Sequence, residues 1–297
     1  MGRTRRTKGT KTQAAAPARI TARRSSRVWA GTALAAVVLG GIWMLRPNNP
    51  ASLSNAASVI GAPETQPVVR SLRVDVLREL PHERDAYIQG LVWWNNQLFE
   101  STGREGESTL RRLDPQTGQV EQRIDVPAQY FGEGLALVDR RLIMLTWRAQ
   151  RAFTYDRDTF EPGETFRYQG EGWGLCYDGT RIVMSDGSDR LTFRDPQTFE
   201  PIGEQRVRLR GQPLRDLNEL ECVGGAIYAN VWEEDFLVRI DPETGRVTDY
   251  IDATGLLQGE DRIGAEVLNG IAYDPIAETF YITGKWWPKM FEVHFVE

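Results

Sequence analysis

The chain has 297 residues, with 36 Lys plus Arg against 41 Asp plus Glu, two His and two Cys. A hydrophobic content of 41% is enough for a buried core, while so few His and Cys exclude a zinc finger, a Cys/His zinc cluster and a disulfide-stapled scaffold. Nine basic residues and no acidic one fall in residues 1–27, which leaves 27 basic against 41 acidic side chains on residues 28–297, a balance of −14 that argues against a nucleic-acid binder.

In chain order, the basic segment 1–27 comes first, and Val28 to Leu45 (VWAGTALAAVVLGGIWML) then forms an 18-residue run without a charge, just long enough to span a bilayer. Basic residues before an apolar run place the N-terminus in the cytoplasm. The expectation is a transmembrane signal anchor at 28–45 with everything downstream in the periplasm or extracytoplasmic space. A cleaved signal peptide is the alternative, since Ser54-Asn55-Ala56 offers small residues, though far from the apolar run. Residues 46–71, rich in Pro, Ala, Ser and Asn, read as a flexible tether.

Residues 72–297 repeat. Four turns of one type recur: Asp114-Pro-Gln-Thr-Gly118, Asp156-Arg-Asp-Thr-Phe160, Asp195-Pro-Gln-Thr-Phe199 and Asp241-Pro-Glu-Thr-Gly245. Each follows by 20 to 23 residues a Leu in a small-residue context (Leu91, Leu135, Leu175, Leu220), and a fifth copy begins at Ile271. These positions are 44, 40, 45 and 51 residues apart. Within the first copy, short β-rich runs at 89–93, 97–101, 108–113 and 120–125 are separated by Asn95-Asn96 and the Asp114 turn. Four strands per repeat of this length predict an all-β, five-bladed β-propeller. The fifth copy ends after its third strand, near Lys289–Val296. Leu72–Leu80 is expected to supply the missing fourth strand and close the ring.

Aligning the copies puts Gln89, Glu133, Trp173, Asn218 and Asn269 at one position, two before the apolar residue, on strands that should line the axis. Near the end of the second strand a further set aligns: Gly103, Trp147, Gly187, Trp232 and Lys285. Together they describe an aromatic-walled pocket with a few polar groups, as a small-ligand site requires. Taken singly, each has an ordinary reading: a channel carboxylate that joins strands, indoles that fill core, a lysine that merely neutralises Glu133, Asn side chains that cap strand ends. The Asp-containing turns are expected to be structural. Cys176 and Cys222 fall on neighbouring first strands, one residue out of register; export permits a disulfide, but buried free thiols are the expectation.

At these motifs the sequence resembles the glutaminyl-peptide cyclotransferases of the plant and bacterial type, which are five-bladed propellers. The matching stretches are Tyr87-Ile-Gln-Gly-Leu91, Tyr130-Phe-Gly-Glu-Gly-Leu135, Leu145-Thr-Trp147, Glu171-Gly-Trp-Gly-Leu175, Leu217-Asn-Glu-Leu-Glu221, Asn230-Val-Trp232, Leu268-Asn-Gly-Ile271 and Thr283-Gly-Lys-Trp-Trp-Pro288. The resemblance implies that Glu133 is the catalytic carboxylate and that Gln89, Phe131, Trp147, Trp173, Trp232, Asn218 and Lys285 belong to the same site. The family usually has Phe and Thr where this chain has Tyr87 and Ile88, so the Tyr87 hydroxyl bears on substrate preference.

The implied reaction turns an N-terminal glutamine of a peptide or protein into pyroglutamate with loss of ammonia. Attack is intramolecular, so restraint and proton movement are the main tasks. Glu133 is expected to move the proton, Asn218 and Lys285 to polarise the carbonyl, and Tyr87, Gln89, Phe131, the three Trp and Asn269 to hold substrate. The scheme calls for no metal or other cofactor, and for a monomer. Two rivals are a Ca²⁺-dependent lactonase-type propeller with Glu133, Asn218 and Asn269 as oxygen ligands, disfavoured by the cation Lys285 facing them, and a non-enzymatic envelope scaffold.

Overall fold

The computed structural model describes residues 68–297; the basic segment, the apolar run 28–45 and nearly all of the tether fall outside them. Among the described residues the chain is all-β, with a single 3₁₀ turn, Gly259–Arg262, as its only helical element. After β1 (Arg70–Pro81), the first four-stranded unit is β2 (Ile88–Trp94), β3 (Gln97–Thr102), β4 (Thr109–Leu113) and β5 (Val120–Asp125). The second unit is β6 (Gly132–Val138), β7 (Arg141–Thr146), β8 (Arg151–Asp156) and β9 (Pro162–Arg167). The third is β10 (Leu175–Tyr177), β11 (Ile182–Ser185), β12 (Arg190–Arg194) and β13 (Pro201–Arg206). A small hairpin, β14 (Arg208–Leu209) and β15 (Gln212–Pro213), precedes the fourth: β16 (Leu217–Val223), β17 (Ala226–Val231), β18 (Phe236–Ile240) and β19 (Val247–Asp252). The last three strands are β20 (Leu268–Asp274), β21 (Thr279–Gly284) and β22 (Lys289–Val296).

Units one to three are separate antiparallel sheets in chain order. The fourth unit and the strands β20-β21-β22-β1 are fused into one eight-stranded sheet. As expected from the sequence, β1 completes the last unit: it runs antiparallel to β22, from Arg73 opposite Val296 to Pro81 opposite Lys289. Its other edge does something the sequence did not suggest, pairing in parallel with β19 from Arg70 to Arg73, with an Arg70–Asp249 ion pair at the start.

Local chemistry explains the turns. Asn95 and Asn96 both take positive φ (47° and 59°), the pair of left-handed residues that a tight hairpin needs. In the Asp-Xaa-Xaa-Thr turns the carboxylate of Asp156 accepts the amides of Asp158 and Thr159, and that of Asp195 the amides of Gln197 and Thr198. The last turn residue is left-handed each time, and in two turns it is Phe160 or Phe199 instead of Gly. A left-handed L-residue costs about 1–2 kcal/mol. Both rings are buried in cores between units, a gain of about 1.5–3 kcal/mol each that offsets the strain.

The first strand of every unit is a sheet edge, and its buried backbone groups need partners from outside their own sheet. Neighbouring units supply them. Ser101 Oγ of the first unit donates to the Glu133 carbonyl of the second, at 2.6 Å. The Gly134 amide of the second donates to the Trp173 carbonyl that leads into the third, at 2.7 Å. Ser185 Oγ of the third donates to the Asn218 carbonyl of the fourth, at 2.7 Å. Between the fourth and last units, Glu219 accepts from the Ile271 amide at 2.8 Å and Asn230 Oδ1 from the Gly270 amide at 3.1 Å. Asn269 Nδ2 closes the circuit by donating to the Ile88 carbonyl of the first unit, at 3.1 Å. Five apolar clusters follow the same cycle, one between each successive pair, the closing one joining Leu80, Ile88 and Leu91 to Ala272, Tyr281 and Met290.

Cys176 and Cys222 are joined by a disulfide, Cα atoms 5.6 Å apart, which corrects the expectation of free thiols. The one-residue offset that argued against pairing is absorbed because the two strands belong to different sheets, whose relative stagger no ladder register fixes.

A chain beginning at residue 68 should melt cooperatively, whereas one beginning at residue 82 lacks β1 and its ladders to both β22 and β19. The shorter chain should lose the sharp transition or melt roughly 10 °C or more lower. Circular dichroism melts of the two are the check, and matching curves would contradict the closing role of β1.

Candidate functional site

In an antiparallel pair the start of one strand lies beside the end of the next, and the site uses that rule repeatedly. Gly132 pairs with Thr146, Leu217 with Val231 and Leu268 with Gly284. Residues entering a first strand and residues leaving a second strand therefore gather at one end of the fold. There, Tyr87, Gln89, Phe131, Glu133, Trp147, Trp173, Asn218, Trp232 and Lys285 line one cavity of about 410 Å³. Nine of the ten side chains expected from the sequence thus converge. Asn269 does not reach the cavity: its amide lies behind Gln89, donating to the Gln89 Oε1 at 3.3 Å as well as to the Ile88 carbonyl. The circuit between units thus takes up its Nδ2, while its Oδ1 is buried without a hydrogen-bond partner among the described residues.

Backbone bonds fix the stations of the walls. The Trp147 amide donates to the Phe131 carbonyl, that of Trp173 to Ser185, that of Trp232 to Asp216 and that of Lys285 to Val267, at 2.8–3.1 Å. The two glycines of the second aligned set make room. A Cβ on Gly103 would meet the Phe131 ring, and one on Gly187, which also has a left-handed φ of 76°, would meet the Trp173 indole at 2.7 Å. Trp173 and Trp232 stand edge to face, 5.9 Å between centroids, and Phe131 packs on Trp147 at 5.6 Å.

Glu133 and Lys285 are both almost wholly buried, at 5% and 4% exposure. Burial pushes the Glu133 carboxyl well above the usual carboxylate range; Lys285 pulls it back, and Glu171 adds to the rise. No hydrogen bond to the carboxylate offsets this among the described residues. Burial also pushes the Lys285 ammonium down, against the pull of Glu133 and Glu266. The two do not form a contact ion pair: Lys285 Nζ instead sits 4.9 Å from the Tyr87 ring centroid. Asn218 Oδ1 is buried without a hydrogen-bond partner among the described residues. The cavity thus holds a carboxyl, a cation and an amide oxygen, none of them committed to a strong internal partner.

The sequence reading gave no role to several residues that matter here. Glu171 and Arg148 line the cavity. Glu266 accepts the Tyr87 hydroxyl proton at 3.0 Å, and Trp286 packs on the Tyr87 ring at 4.9 Å. Glu171 lies two residues before Trp173, inside a motif already noted, but off the repeat position used for alignment. Glu219 and Glu221, which stand next to Asn218 in sequence, accept edge-strand amides instead, from Leu91 and Ile271 and from Tyr273. Among the described residues no group of three or more His, Cys, Asp or Glu side chains is gathered as a metal site.

A model of the glutamine cyclotransferase family matches residues 51–295. The chain belongs to that family. It is 40% identical over 226 residues to the glutaminyl-peptide cyclotransferase of Arabidopsis thaliana, an alignment covering 74% of this chain and 70% of the relative. Among solved structures, the glutaminyl cyclase of Myxococcus xanthus superposes with a TM-score of 0.71 at 40% identity, covering 77% of this chain and 99% of that one. The cyclotransferase match spans all the residues that line the cavity.

The raised Glu133 has a stability consequence. Its ordinary pKa of 4.5 applies in the unfolded chain, so between that value and the higher folded one the native state binds the extra proton. Its contribution to stability is complete below about 4.5 and is lost as pH rises through the folded value. Glu133→Gln abolishes this titration. The variant should therefore gain melting temperature over wild type as pH rises, with the advantage vanishing in acid. A difference that stays constant with pH would contradict the assignment.

Proposed function

We propose that this chain is a glutaminyl-peptide cyclotransferase built as a five-bladed β-propeller, acting on peptides or proteins with N-terminal glutamine in the periplasm or extracytoplasmic space. The propeller reading rests on the four-stranded units and on the circuit of hydrogen bonds that returns from the last to the first. The location rests on the basic segment and apolar run of residues 1–45, read as a membrane anchor.

The observation that carries the chemistry is a buried carboxyl, Glu133, facing an indole-walled cavity with no donor of its own. The substrate α-amine has a reference pKa near ~8 and must lose a proton to attack. A carboxylate of ordinary acidity is a poor acceptor for it; one raised by burial is better matched. The neutral amine then attacks the γ-carboxamide carbon of its own side chain. A five-membered ring closes, the carbonyl oxygen takes up negative charge, and Lys285 and the Asn218 amide stand ready to stabilise it. When the ring carbonyl re-forms, the carbon–nitrogen bond to the amide breaks and Glu133 returns its proton to the departing ammonia. No water is consumed. Trp147, Trp173 and Trp232 hold the side chain folded onto its amine, which supplies most of the advantage of an intramolecular attack. Tyr87, Gln89 and Phe131 complete the wall. A Ca²⁺ site built on Glu133, Asn218 and Asn269 is disfavoured because the buried Lys285 cation lines the same cavity and Asn269 is not part of its lining.

A coupled assay for ammonia release from Gln-initiated peptides, run with a no-enzyme control and with and without chelator, tests this reading. Turnover should be chelator-insensitive. Glu133→Gln should lower kcat by roughly 10²–10⁴-fold, with peptide binding largely kept. Lys285→Met should move the acid limb of the pH profile upward, since the ammonium opposes the rise in the Glu133 pKa. Retention of more than about a tenth of turnover by Glu133→Gln would remove it as the proton carrier, given that range.

A further inference from the structure

Glu171 stands in the loop between β9 and β10 and holds three N–H donors at once. One oxygen, Oε2, accepts both the Trp147 indole N–H at 2.7 Å and the Trp173 indole N–H at 3.1 Å. The other, Oε1, accepts Arg148 Nε at 2.9 Å. Arg148 in turn lies over the Trp147 ring, 3.7 Å from its centroid. Two of the three cavity indoles, from two different units, are therefore locked to a single carboxylate.

Stability does not account for this arrangement. The Arg148 and Glu171 side chains are 65% and 37% exposed, and exposed ion pairs contribute little. Orientation does. An indole can occupy its wall and still rotate about its side-chain bonds unless its one polar atom is tied. Hydrogen bonds to an ionised acceptor are short and strong, so they set direction well.

We propose that Glu171 is a positioning residue for the cyclisation, fixing Trp147 and Trp173 together in the orientation that keeps the bound glutamine folded onto its amine. The inference rests on the cyclotransferase reading of the cavity. Glu171 also lines the same cavity as Glu133 and acts on it through its charge. The other titratable groups coupled to Glu133 by charge are Lys285 from the last unit, Tyr168 at the end of the second, whose hydroxyl is bonded to Thr146, and Tyr87 before the first, whose hydroxyl is bonded to Glu266. Partial burial works to raise the Glu171 carboxyl, but its three donors outweigh that and hold it below the usual range. It is thus a fixed negative charge that makes Glu133 harder to ionise.

The two roles separate by substitution. Glu171→Gln keeps an oxygen that can accept both indoles and loses the charge; Glu171→Ala loses both. On the plateau of the pH profile, Glu171→Ala should lower kcat/KM for a Gln-initiated peptide by roughly tenfold to a hundredfold. It should also raise acrylamide quenching of the full chain's Trp fluorescence. Glu171→Gln should stay within about threefold of wild type on the plateau, keep wild-type quenching, and shift its acid limb to lower pH. A merely structural role would lower the melting temperature of both variants while leaving the plateau kcat/KM and the Trp quenching of Glu171→Ala at wild-type values. Wild-type plateau activity and quenching in Glu171→Ala would overturn the proposal, as would a Glu171→Gln variant as impaired as Glu171→Ala. If the wild-type chain itself releases no ammonia, the cyclotransferase reading fails instead. Quenching then decides whether Glu171 holds the indoles, and no difference between the two variants would overturn that as well.

Discussion

Unpaired backbone at the inner edges of the sheets is the constraint on which the rest of this fold depends. Each unit ends inward on a strand with one side of its ladder open, buried against other units where water cannot satisfy it. Leaving such groups unpaired costs on the order of 1–3 kcal/mol apiece. The chain answers with short hydroxyls, Ser101 and Ser185, with the amides of Asn230 and Asn269, and with the buried carboxylate of Glu219, which accepts from two different edge strands. These groups reach across to the next unit and fix its stagger. They set where each first strand begins, and therefore where Gln89, Glu133 and Asn218 project.

The same constraint divides the carboxylates by task. Glu219 and Glu221 lie one and three residues beyond Asn218, and burial raises both, Glu221 to about 8. Both have backbone donors, so their oxygens are committed. Glu133 is raised by burial as well but faces open cavity. A buried acid with its hydrogen bonds satisfied holds structure together; a buried acid without them is poised to exchange a proton. Keeping Glu133 in that condition works against stability at neutral and alkaline pH. The apolar clusters between units and the ladders of β1 supply the margin that tolerates it.

Around Glu133 the electrostatics are a balance among burial and two charged groups. Lys285 favours the carboxylate, while Glu171 and burial favour the acid. The opposing charges come from different units, Lys285 after β21 and Glu171 before β10, so the proton affinity of the site is a property of the assembled fold. Its aromatic walls are assembled in the same way. Trp147 and Trp173 come from the second and third units and meet at one carboxylate, and Trp232 of the fourth stands edge-on to Trp173.

Much of this was legible in the chain. The Asp turns and the spacing of Leu91, Leu135, Leu175, Leu220 and Ile271 determined the four-stranded units, because a turn that caps its own amides and a β-rich run of fixed length are local properties. Repeat alignment also found seven of the cavity residues, Gln89, Glu133, Trp147, Trp173, Asn218, Trp232 and Lys285, since equivalent positions in antiparallel units must come to the same end, while Tyr87 and Phe131 came only from the family resemblance. What the sequence left undecided is what depends on the contact between units. The Cys176–Cys222 disulfide forms across two sheets whose stagger no local pattern encodes. Asn269 shares the repeat position of Gln89 and Glu133 yet serves the edge of β2, because that edge needed a donor. Glu171 sits at no repeat position, and its role exists only once two indoles from separate units arrive within reach of one oxygen. Local periodicity carries the units and their turns. Only the packed fold decides which side chains satisfy buried backbone and which remain free for chemistry, because that depends on partners in other units, from 32 to 181 residues apart in the chain.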